Sequence, residues 1–447
     1  MSNTGFVQAE RLHFFLVASQ VLILLYYFAI NILNIGEQGV GILYALGFFI
    51  LSGLIGLRLI VIRRLYFRLS FLLLLLLVIL VTVRIVFDRA EIAFLKETLI
   101  GSTGGVIFFF LMGVALSFSL LELLRLSTRR PARVAMLGYF LLLAVSVFYG
   151  YLAIELKERL RDDIFLIKME GASYQRPGNF LTIVFLLYSV LFFIVMLVKE
   201  YNKLKTPFSF AMPLIYLAST CVAAFSAQMI GSNNSFLMIS SIGVITLVSY
   251  SVKSVSLRYP GSRRQVTDRV LSYSVIRSLF FRGAIVVGGI FLFLVVIVNW
   301  ADFDIKQMRF FGFGDSENDS VSSRLSIFKG NFILHYSDSP LWGNYNIDVE
   351  STGAGTYVHS ALGYSLTHTG VVGFIVLLTM IVLVIRDLVS SSVIFDGSLS
   401  FQLKSVRMLF LFLFLVVFVV ASLATVMTWS VLWFSLGFLT LMVYFKK

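Results

Sequence analysis

The stretch FRLSFLLLLLLVILVTVRIVF, residues 67–87, decides the class of this fold. Its charged residues are Arg68 and Arg84, one near each end, and the rest is almost entirely apolar. An α-helix needs about 20 predominantly apolar residues to cross the hydrocarbon core of a bilayer. The whole chain has a similar composition: 59% of its 447 residues are hydrophobic and 13% are charged. A soluble domain has roughly 25% charged residues. The sequence therefore predicts an all-α polytopic membrane protein.

The same criterion applied along the chain predicts twelve membrane spans. They lie at residues 12–33, 38–58, 67–87, 102–124, 134–154, 180–198, 208–227, 236–252, 283–300, 369–385, 406–425 and 430–445. The first run is long enough to span and lacks a small-residue cleavage site, which predicts a transmembrane helix and not a cleavable signal. The last two runs are also compatible with a re-entrant hairpin, because only Thr425–Trp429 separates them. Residues 1–300 then form a bundle of nine helices, residues 301–367 a large loop, and residues 368–447 the last three helices.

The placement of Lys and Arg predicts the orientation of these spans. One alternate set of loops and helix ends holds 24 of the 36 basic residues with six acidic residues, and the opposite set holds 12 basic and 17 acidic residues. By the positive-inside rule the first set is cytoplasmic, as are both termini, and the large loop faces the other side. The basic excess is explained by topology and contact with membrane lipids, and it does not indicate nucleic-acid binding.

Several kinds of site are excluded or weakly supported. Cys221 is the only cysteine, so neither an intramolecular disulfide nor a Cys-based metal site is possible. Asp302-Phe303-Asp304 has the spacing seen in metal-dependent glycosyltransferases, but carboxylates at a membrane exit are more often simple interfacial acids. The run from Asp315 to Asp319 begins like a calcium loop, yet Ser320 and Ser326 stand where that loop needs glycine and a carboxylate. No hydrolase, ATPase or zinc-protease motif occurs, and we expect neither a metal nor a cofactor.

The longest polar segment, Asp302–Thr367, is the candidate for chemistry. Loops of this length are uncommon and usually functional. Apolar residues at spacings of three and four predict an amphipathic helix over Ser322–Tyr336 that lies on the membrane surface. Arg324 and His335 lie on nearly the same face of that helix.

A second helix in this loop is predicted to begin at Thr356, after Pro340 has ended the first. It places His359 in the first helical turn, where the helix dipole disfavours the charged imidazolium. A neutral imidazole there can accept a proton, and a structural hydrogen bond is the alternative role.

Arginines outside this loop are also candidates. Arg176 precedes a Pro-Gly turn at the membrane surface and is placed to hold a lipid phosphate bidentately, with Arg161 as a second candidate. A solvated, salt-bridged loop is the alternative reading of both. Arg84 lies near the end of the third span, where a charge usually faces the bundle interior or a wet cavity. A structural pair with Asp88, one turn on, is the alternative for Arg84.

Four short motifs in residues 324–373 together resemble a known family. They are Arg324-x3-Phe328, Ser339-Pro340-Leu341-Trp342-Gly343, Tyr357-x-His359-Ser360 and Gly370-x2-Gly373. Their order and placement look like the signature of the O-antigen polymerase and O-antigen ligase superfamily, bacterial membrane glycosyltransferases that use undecaprenyl-diphosphate-linked sugars. The family often has His-Asn where this chain has His359-Ser360. Its ligases commonly carry an arginine on an earlier turn that here reads Gly231-Ser232-Asn233-Asn234-Ser235, which favours a polymerase.

The resemblance implies a GT-C-like fold with a large helical periplasmic loop in the bacterial inner membrane. It implies an undecaprenyl-diphosphate-linked glycan as donor and a second one as acceptor, with a chain-length regulator and a flippase as further partners. Arg324 would clamp the diphosphate, His359 would accept the acceptor proton, and metal would not be needed. The substrate-binding residues would be Arg176, Arg161, Asn233, Tyr357, Trp342 and His335. A ligase, a lipid-linked oligosaccharide flippase or other transporter, and an envelope scaffold are the competing interpretations.

Overall fold

The structure of the protein is a computed structural model. It describes residues 3–33, 38–62, 69–88, 95, 99–159, 175–204, 211–230, 232–258, 288, 295, 299, 336, 339–345, 360–390, 397–425 and 427–442. These residues are helical almost throughout, and no strand occurs among them.

Eleven α-helices and one π-helical turn can be traced in these ranges. The helices are α1 (Asn3–Leu33), α2 (Gln38–Ile62), α3 (Leu69–Asp88), α4 (Gly105–Arg129), α5 (Pro131–Arg159), α6 (Gln175–Tyr201), α7 (Ala211–Met229), α8 (Asn233–Arg258), α9 (Ala361–Ser390), α10 (Gly397–Ala424) and α11 (Ser430–Met442). The π-helical turn, Ile100–Gly104, leads directly into α4.

Nine of the helices in the described ranges are long and apolar enough to cross a membrane, namely all except α2 and α11. The apolar parts of α2 and α11 are shorter, at Leu43–Gly56 and Ser430–Leu439. The chain is therefore a multi-pass, all-α membrane protein, as the sequence predicts. The predicted span at 283–300 lies outside the described residues apart from isolated positions, so the total of twelve stays a prediction.

Helix α3 shows why the helices need a bilayer. Its buried side chains follow helical spacing and face other helices, at Ser70, Leu74, Leu77, Val81 and Ile85. Its exposed side chains are just as apolar, at Leu69, Leu72, Leu75, Leu76, Ile79, Val83, Val86 and Phe87. A helix that is apolar on its exposed face as well as its buried face belongs in lipid, since water would disfavour such a surface.

Local sequence sets several helix ends. Pro131 is the first residue of α5, a position where its fixed φ suits a helix and its missing N–H is not needed. Helix α6 ends where Lys203 adopts a positive φ of 51°. The amides of Lys203 and Leu204 then donate to the carbonyls of Glu200 and Lys199, at 3.3 and 3.0 Å. This Schellman arrangement satisfies the last carbonyls of α6 and turns the chain away.

The chain forms two compact units. The first comprises Met1–Leu51, Glu122–Phe313 and Phe395–Leu413, and the second comprises Ser52–Leu121, Gly314–Ile394 and Phe414–Lys447. The boundaries fall inside α2, α4 and α10, so each of these helices contributes residues to both units. The predicted division at residues 300 and 367 follows chain order and membrane topology, and it stays a prediction.

In the first unit, α6 is the central helix, with most of its side chains buried and α1, α5, α7 and α8 packed around it. Hydroxyl groups bridge these helices. The oxygens of Ser146 on α5, Tyr188 on α6 and Ser219 on α7 form a closed triangle with sides of 2.9, 3.2 and 3.0 Å. A second bridge joins the hydroxyls of Ser189 and Tyr216 at 2.6 Å. We refer to these five residues as the hydroxyl cluster.

In the second unit, α3 packs along α9, and α9 also contacts α11. Glycines bring α4 and α11 into backbone contact. A Cβ on Gly113 would overlap the backbone of Phe434, and a Cβ on Gly437 would overlap that of Phe110. Small residues permit such close approach in membranes, where packing stabilises helix association in place of the hydrophobic effect.

Candidate functional site

Helix α9 is interrupted at Gly370. This residue has φ 64° and ψ −171°, inside a helix that otherwise continues from Ala361 to Ser390. Only glycine adopts this backbone region readily. A Cβ at this position would also overlap the carbonyl of Leu341. The break and the neighbouring segment therefore depend on each other.

The neighbouring segment is a tight turn at Ser339–Tyr345, which we call the docked turn. The Gly343 amide donates to the Ser339 carbonyl at 2.8 Å, and Gly343 has φ 73°. A Cβ on Gly343 would overlap the backbone of His368 in α9. The glycines of the turn and of the helix thus permit one backbone to lie directly against the other.

The docked turn replaces a hydrogen bond of the helix. In an unbroken helix the Val371 amide would donate to the Thr367 carbonyl. Here Val371 donates to the carbonyl of Pro340 at 2.9 Å, and Thr367 accepts instead from the amide of Asn344 at 2.9 Å. The Val372 amide also donates to the Leu341 carbonyl, at 3.3 Å. The turn thus pairs two amides and one carbonyl that the break frees, which matters in the interior of a membrane protein, where water is not available to them.

A charged pair on α3 holds the other side of the docked turn. Arg84 Nη2 lies 2.7 and 2.9 Å from the two carboxylate oxygens of Asp88, so the predicted local pair is confirmed. The same Nη2 also donates to the Gly343 carbonyl at 2.7 Å. Asp88 Oδ2 accepts from the Tyr345 amide at 2.8 Å. The side chains of Arg84 and Asp88 are 24% and 11% exposed, so these bonds are only partly screened by solvent.

His368 is the functional candidate that the sequence analysis missed. It is fully buried on α9 and stacks on Tyr364, with centroids 3.5 Å apart and planes inclined by 6°. Tyr345 of the docked turn meets the same imidazole edge-on at 5.1 Å. The imidazole Nδ1 lies 2.9 Å from Thr367 Oγ1 and 3.1 Å from the Tyr364 carbonyl. His368 therefore belongs to the packing of the junction between α9 and the docked turn.

A sequence signal for His368 existed. The run Ser365-Leu366-Thr367-His368-Thr369 is polar and directly precedes the signature glycine Gly370. The predicted span began at 369 and left this run in the loop. The structure begins α9 at Ala361 and breaks it at Gly370, so the polar run forms the first part of the same helix.

The predicted helix start at Thr356 lies outside the described residues, and the helix that the structure describes begins at Ala361. Ser360 is not helical, and it caps α9: its Oγ accepts from the Gly363 amide at 3.1 Å, and its carbonyl accepts from the Tyr364 amide at 2.7 Å. Serine suits this position because its oxygen satisfies an amide that has no partner within the helix. His359 therefore precedes the cap and does not lie in the first turn of α9.

Most of the other predicted residues of the loop lie outside the described part. These are Arg324, His335, Tyr357 and His359, together with the predicted helix over Ser322–Tyr336 except for the helical Tyr336. Arg161, in an earlier loop, also lies outside the described part. Trp342 is described: it lies on the docked turn with its side chain 52% exposed, beside Leu341 at 59%. The turn therefore presents an aromatic face from a backbone that is fixed on both sides.

Two predicted residues of the first unit lie at neighbouring helix starts. Arg176 is in the first turn of α6, and Asn233 is the first residue of α8. These starts touch, because a Cβ on Gly178 would lie 2.6 Å from the hydroxyls of Ser232 and Ser235. Asn233 Oδ1 accepts from Gln228 Nε2 at 3.3 Å. The backbone thus brings the two predicted positions to one polar end of the unit.

No group of three His, Cys, Asp or Glu residues that could hold a metal ion occurs in the part of the chain that the structure describes. The Asp302/Asp304 pair and the Asp315–Asp319 run lie outside that part.

The chain matches no known family model, no curated protein and no solved structure.

Proposed function

We propose that the protein polymerises undecaprenyl-diphosphate-linked oligosaccharide repeat units into a surface polysaccharide, the O antigen. The reaction is metal-independent glycosyl transfer at the periplasmic face of the bacterial inner membrane. The protein has both termini in the cytoplasm and its polar segment, Asp302–Thr367, on the periplasmic side.

One observation supports this proposal above the others. Two of the motifs that carry the family resemblance, Ser339–Gly343 and Gly370-x2-Gly373, lie against each other and exchange backbone hydrogen bonds. A glycine of each, Gly343 and Gly370, has a positive φ and leaves no room for a side chain. The two glycines depend on each other across the contact, and this supports treating the two motifs as parts of one site.

In sequence, the docked turn lies between the two residues to which we assign the transfer chemistry. Arg324 precedes the turn in sequence, and His359 follows it and stands directly before Ser360, the cap of α9. Residues that act in transfer must be held close to their working geometry, and sites on rigid supports achieve this better than free loops. The docked turn is such a support.

The chemistry follows from the residue types. The acceptor hydroxyl attacks the anomeric carbon of the donor glycan, and the bond from that carbon to the diphosphate oxygen breaks. His359 takes the hydroxyl proton, and Arg324, with Arg176 and Arg161, neutralises the charge on the departing undecaprenyl diphosphate. Bidentate guanidinium groups fulfil the role that a metal has in other glycosyltransferases.

The remaining predicted residues contact the glycan. Trp342 is half exposed on a fixed backbone and offers an aromatic face to a sugar ring. Asn233 offers an amide at the start of α8, and Tyr357 and His335 add hydrogen-bonding groups. A ligase would use the same donor but transfer it to a different acceptor. The turn Gly231–Ser235 lacks the arginine common in ligases, which favours the polymerase.

The direct test is incubation of the purified, reconstituted protein with a lipid-diphosphate-linked repeat unit and no partner protein. We expect a ladder of lengthened lipid-linked products. Unchanged substrate would overturn the proposal, and movement of the substrate across the bilayer without lengthening would establish a flippase instead. A parallel sample with a chelator should give the same ladder. Activity lost to the chelator and restored by a divalent ion would contradict metal independence and direct attention to Asp302 and Asp304.

The orientation has its own test. In a Cys221→Ser background, Ser316→Cys should react with a membrane-impermeant maleimide applied to the periplasmic side. Protection of that cysteine until the membrane is opened would reverse the predicted topology.

A further inference from the structure

The Arg84–Asp88 pair takes no part in the proposed chemistry, yet it makes two bonds that a local ion pair does not need. Arg84 donates to the Gly343 carbonyl, and Asp88 accepts from the Tyr345 amide, at 2.7 and 2.8 Å. Both partners belong to the docked turn, far from α3 in sequence. The pair therefore forms one hydrogen bond to the turn on each side of Asn344.

We propose that Arg84 and Asp88 are positioning residues that fix the docked turn for glycosyl transfer. The order of the two side chains along α3, which we call the direction of the pair, holds the turn: the donor is at 84 and the acceptor at 88. Its effect on transfer rests on the proposed function, whereas its hold on the turn does not.

The direction of the pair is set by backbone chemistry. A guanidinium can only donate hydrogen bonds, and an ionised carboxylate can only accept them. The Gly343 carbonyl can only accept, and the Tyr345 amide can only donate. Reversing the pair along α3 would keep an ion pair at the same spacing. It would, however, place a carboxylate near the Gly343 carbonyl, where both groups only accept, and a guanidinium near the Tyr345 amide, where both only donate. Mutation can therefore separate the ion pair within α3 from the two hydrogen bonds that the pair forms to the turn.

The position of the turn sets the position of the side chains that it presents. The turn presents Leu341 and Trp342 on its exposed side and His368 contacts its Tyr345 from α9. Release of the α3 side would leave the turn with its hydrogen bonds to α9 but without its charge-assisted bonds to Arg84 and Asp88. A shift of about 1 Å in a support of this kind can lower a rate by about 10²-fold without any change in the reacting groups.

Two variants separate the interpretations. The reversed pair, Arg84→Asp with Asp88→Arg, keeps the ion pair and loses both bonds to the turn. Asp88→Asn does the opposite: it removes the ion pair but keeps the shape and an acceptor oxygen for the Tyr345 amide. A nitroxide label on Leu341→Cys, in a Cys221→Ser background, reports the mobility of the turn directly. The label in the otherwise unchanged protein provides the reference spectrum of a held turn.

We expect an immobilised label in the otherwise unchanged protein and in Asp88→Asn, and a mobile label in the reversed pair. In the polymer assay without the label, the reversed pair should lose about 10²-fold in kcat with little change in donor KM, because the donor-binding arginines are untouched. Asp88→Asn should lose less than about tenfold.

An immobilised label in the reversed pair, or equal mobility in both variants, would overturn the inference. Full polymerisation by a reversed pair whose label is mobile would also overturn the positioning role. If the unlabelled parent makes no polymer at all, the proposed function fails, and the label spectra still decide whether the direction of the pair holds the turn.

Discussion

The hydroxyl cluster of the first unit and the docked turn of the second use opposite means to hold helices together. In the hydroxyl cluster, intact helices α5, α6 and α7 are joined by side chains such as Tyr188 and Tyr216, which also stack on each other at 5.2 Å. At the docked turn, helix α9 is broken, and its free backbone groups are paired with another stretch of backbone.

Because of this difference, the two regions tolerate different substitutions. In the hydroxyl cluster the bonds join side chains of intact helices, so removing one hydroxyl subtracts only the bonds that this hydroxyl makes. At the docked turn the backbone bonds, the two positive φ angles and the close contact exist together, so one added methyl group disturbs all of them. Strain of this kind is concentrated at functional sites. The hydroxyl cluster therefore has the features of a scaffold and the docked turn those of a site.

The largest predicted effect is that of Gly370→Ala or Gly343→Ala. Each places a Cβ on another backbone and forces a non-glycine residue to a positive φ. Backbone strain alone costs roughly 1–3 kcal/mol, and the loss of the paired backbone groups adds to it. We expect little folded protein, measured by the yield of monodisperse material and its thermal midpoint.

Gly150→Ala is the matched control for these variants. Gly150 lies in α5 with open space where a Cβ would be, so alanine should be neutral or stabilising by about 0.5–1 kcal/mol. Equal behaviour of Gly370→Ala and Gly150→Ala would remove the contrast between the two regions.

An intermediate effect is predicted for Tyr216→Phe in the hydroxyl cluster. It removes the bond between the Tyr216 hydroxyl and Ser189, and it keeps the ring stacked on Phe192 at 4.2 Å. Hydrogen bonds between membrane helices contribute about 0.6 kcal/mol on average and at most about 1.7 kcal/mol. A reversible unfolding measurement in detergent should show a loss in that range. A loss as large as that of Gly370→Ala would mean that the hydroxyl cluster is itself a cooperative site.

The smallest effect is predicted for Tyr149→Phe. Tyr149 is fully buried beside Tyr188, but its hydroxyl has no hydrogen-bond partner among the residues that the structure describes. A buried hydroxyl without a partner is unfavourable, so its removal should be neutral or stabilising by up to about 1 kcal/mol in the same measurement. Destabilisation by Tyr149→Phe would show that the hydroxyl has a bound partner such as water.

Hydropathy was a good guide to the fold because a bilayer imposes a length and a composition on every span. Predicted spans such as 180–198 and 208–227 match α6 and α7 closely. The break in α9 was beyond this kind of reasoning, since it depends on contact with a turn distant in sequence. The predicted span began at 369 because the residues before Gly370 are polar and the long apolar run of α9 follows Gly370.

The candidate site was predictable only where its contacts are local. The Arg84–Asp88 pair follows from spacing along one helix and was predicted, but its bonds to Gly343 and Tyr345 require the fold. The start of α9 at Ala361 was not predicted because Ser360 and Thr356 are both reasonable cap residues, and hydrogen bonds to Gly363 and Tyr364 select Ser360. His368 was missed because its neighbours in space, Tyr345 and Tyr364, lie on two separate segments.

The central claim is that the polar segment anchored by the docked turn performs glycosyl transfer through His359. The most direct test is polymer formation by purified His359→Ala, present in the membrane at normal amounts, together with its binding of the lipid-linked donor. We predict no polymer and almost unchanged donor binding, because a base acts on the acceptor in the transition state and contributes little to ground-state affinity. Full-length polymer from well-expressed His359→Ala would contradict the claim and leave His359 a structural residue.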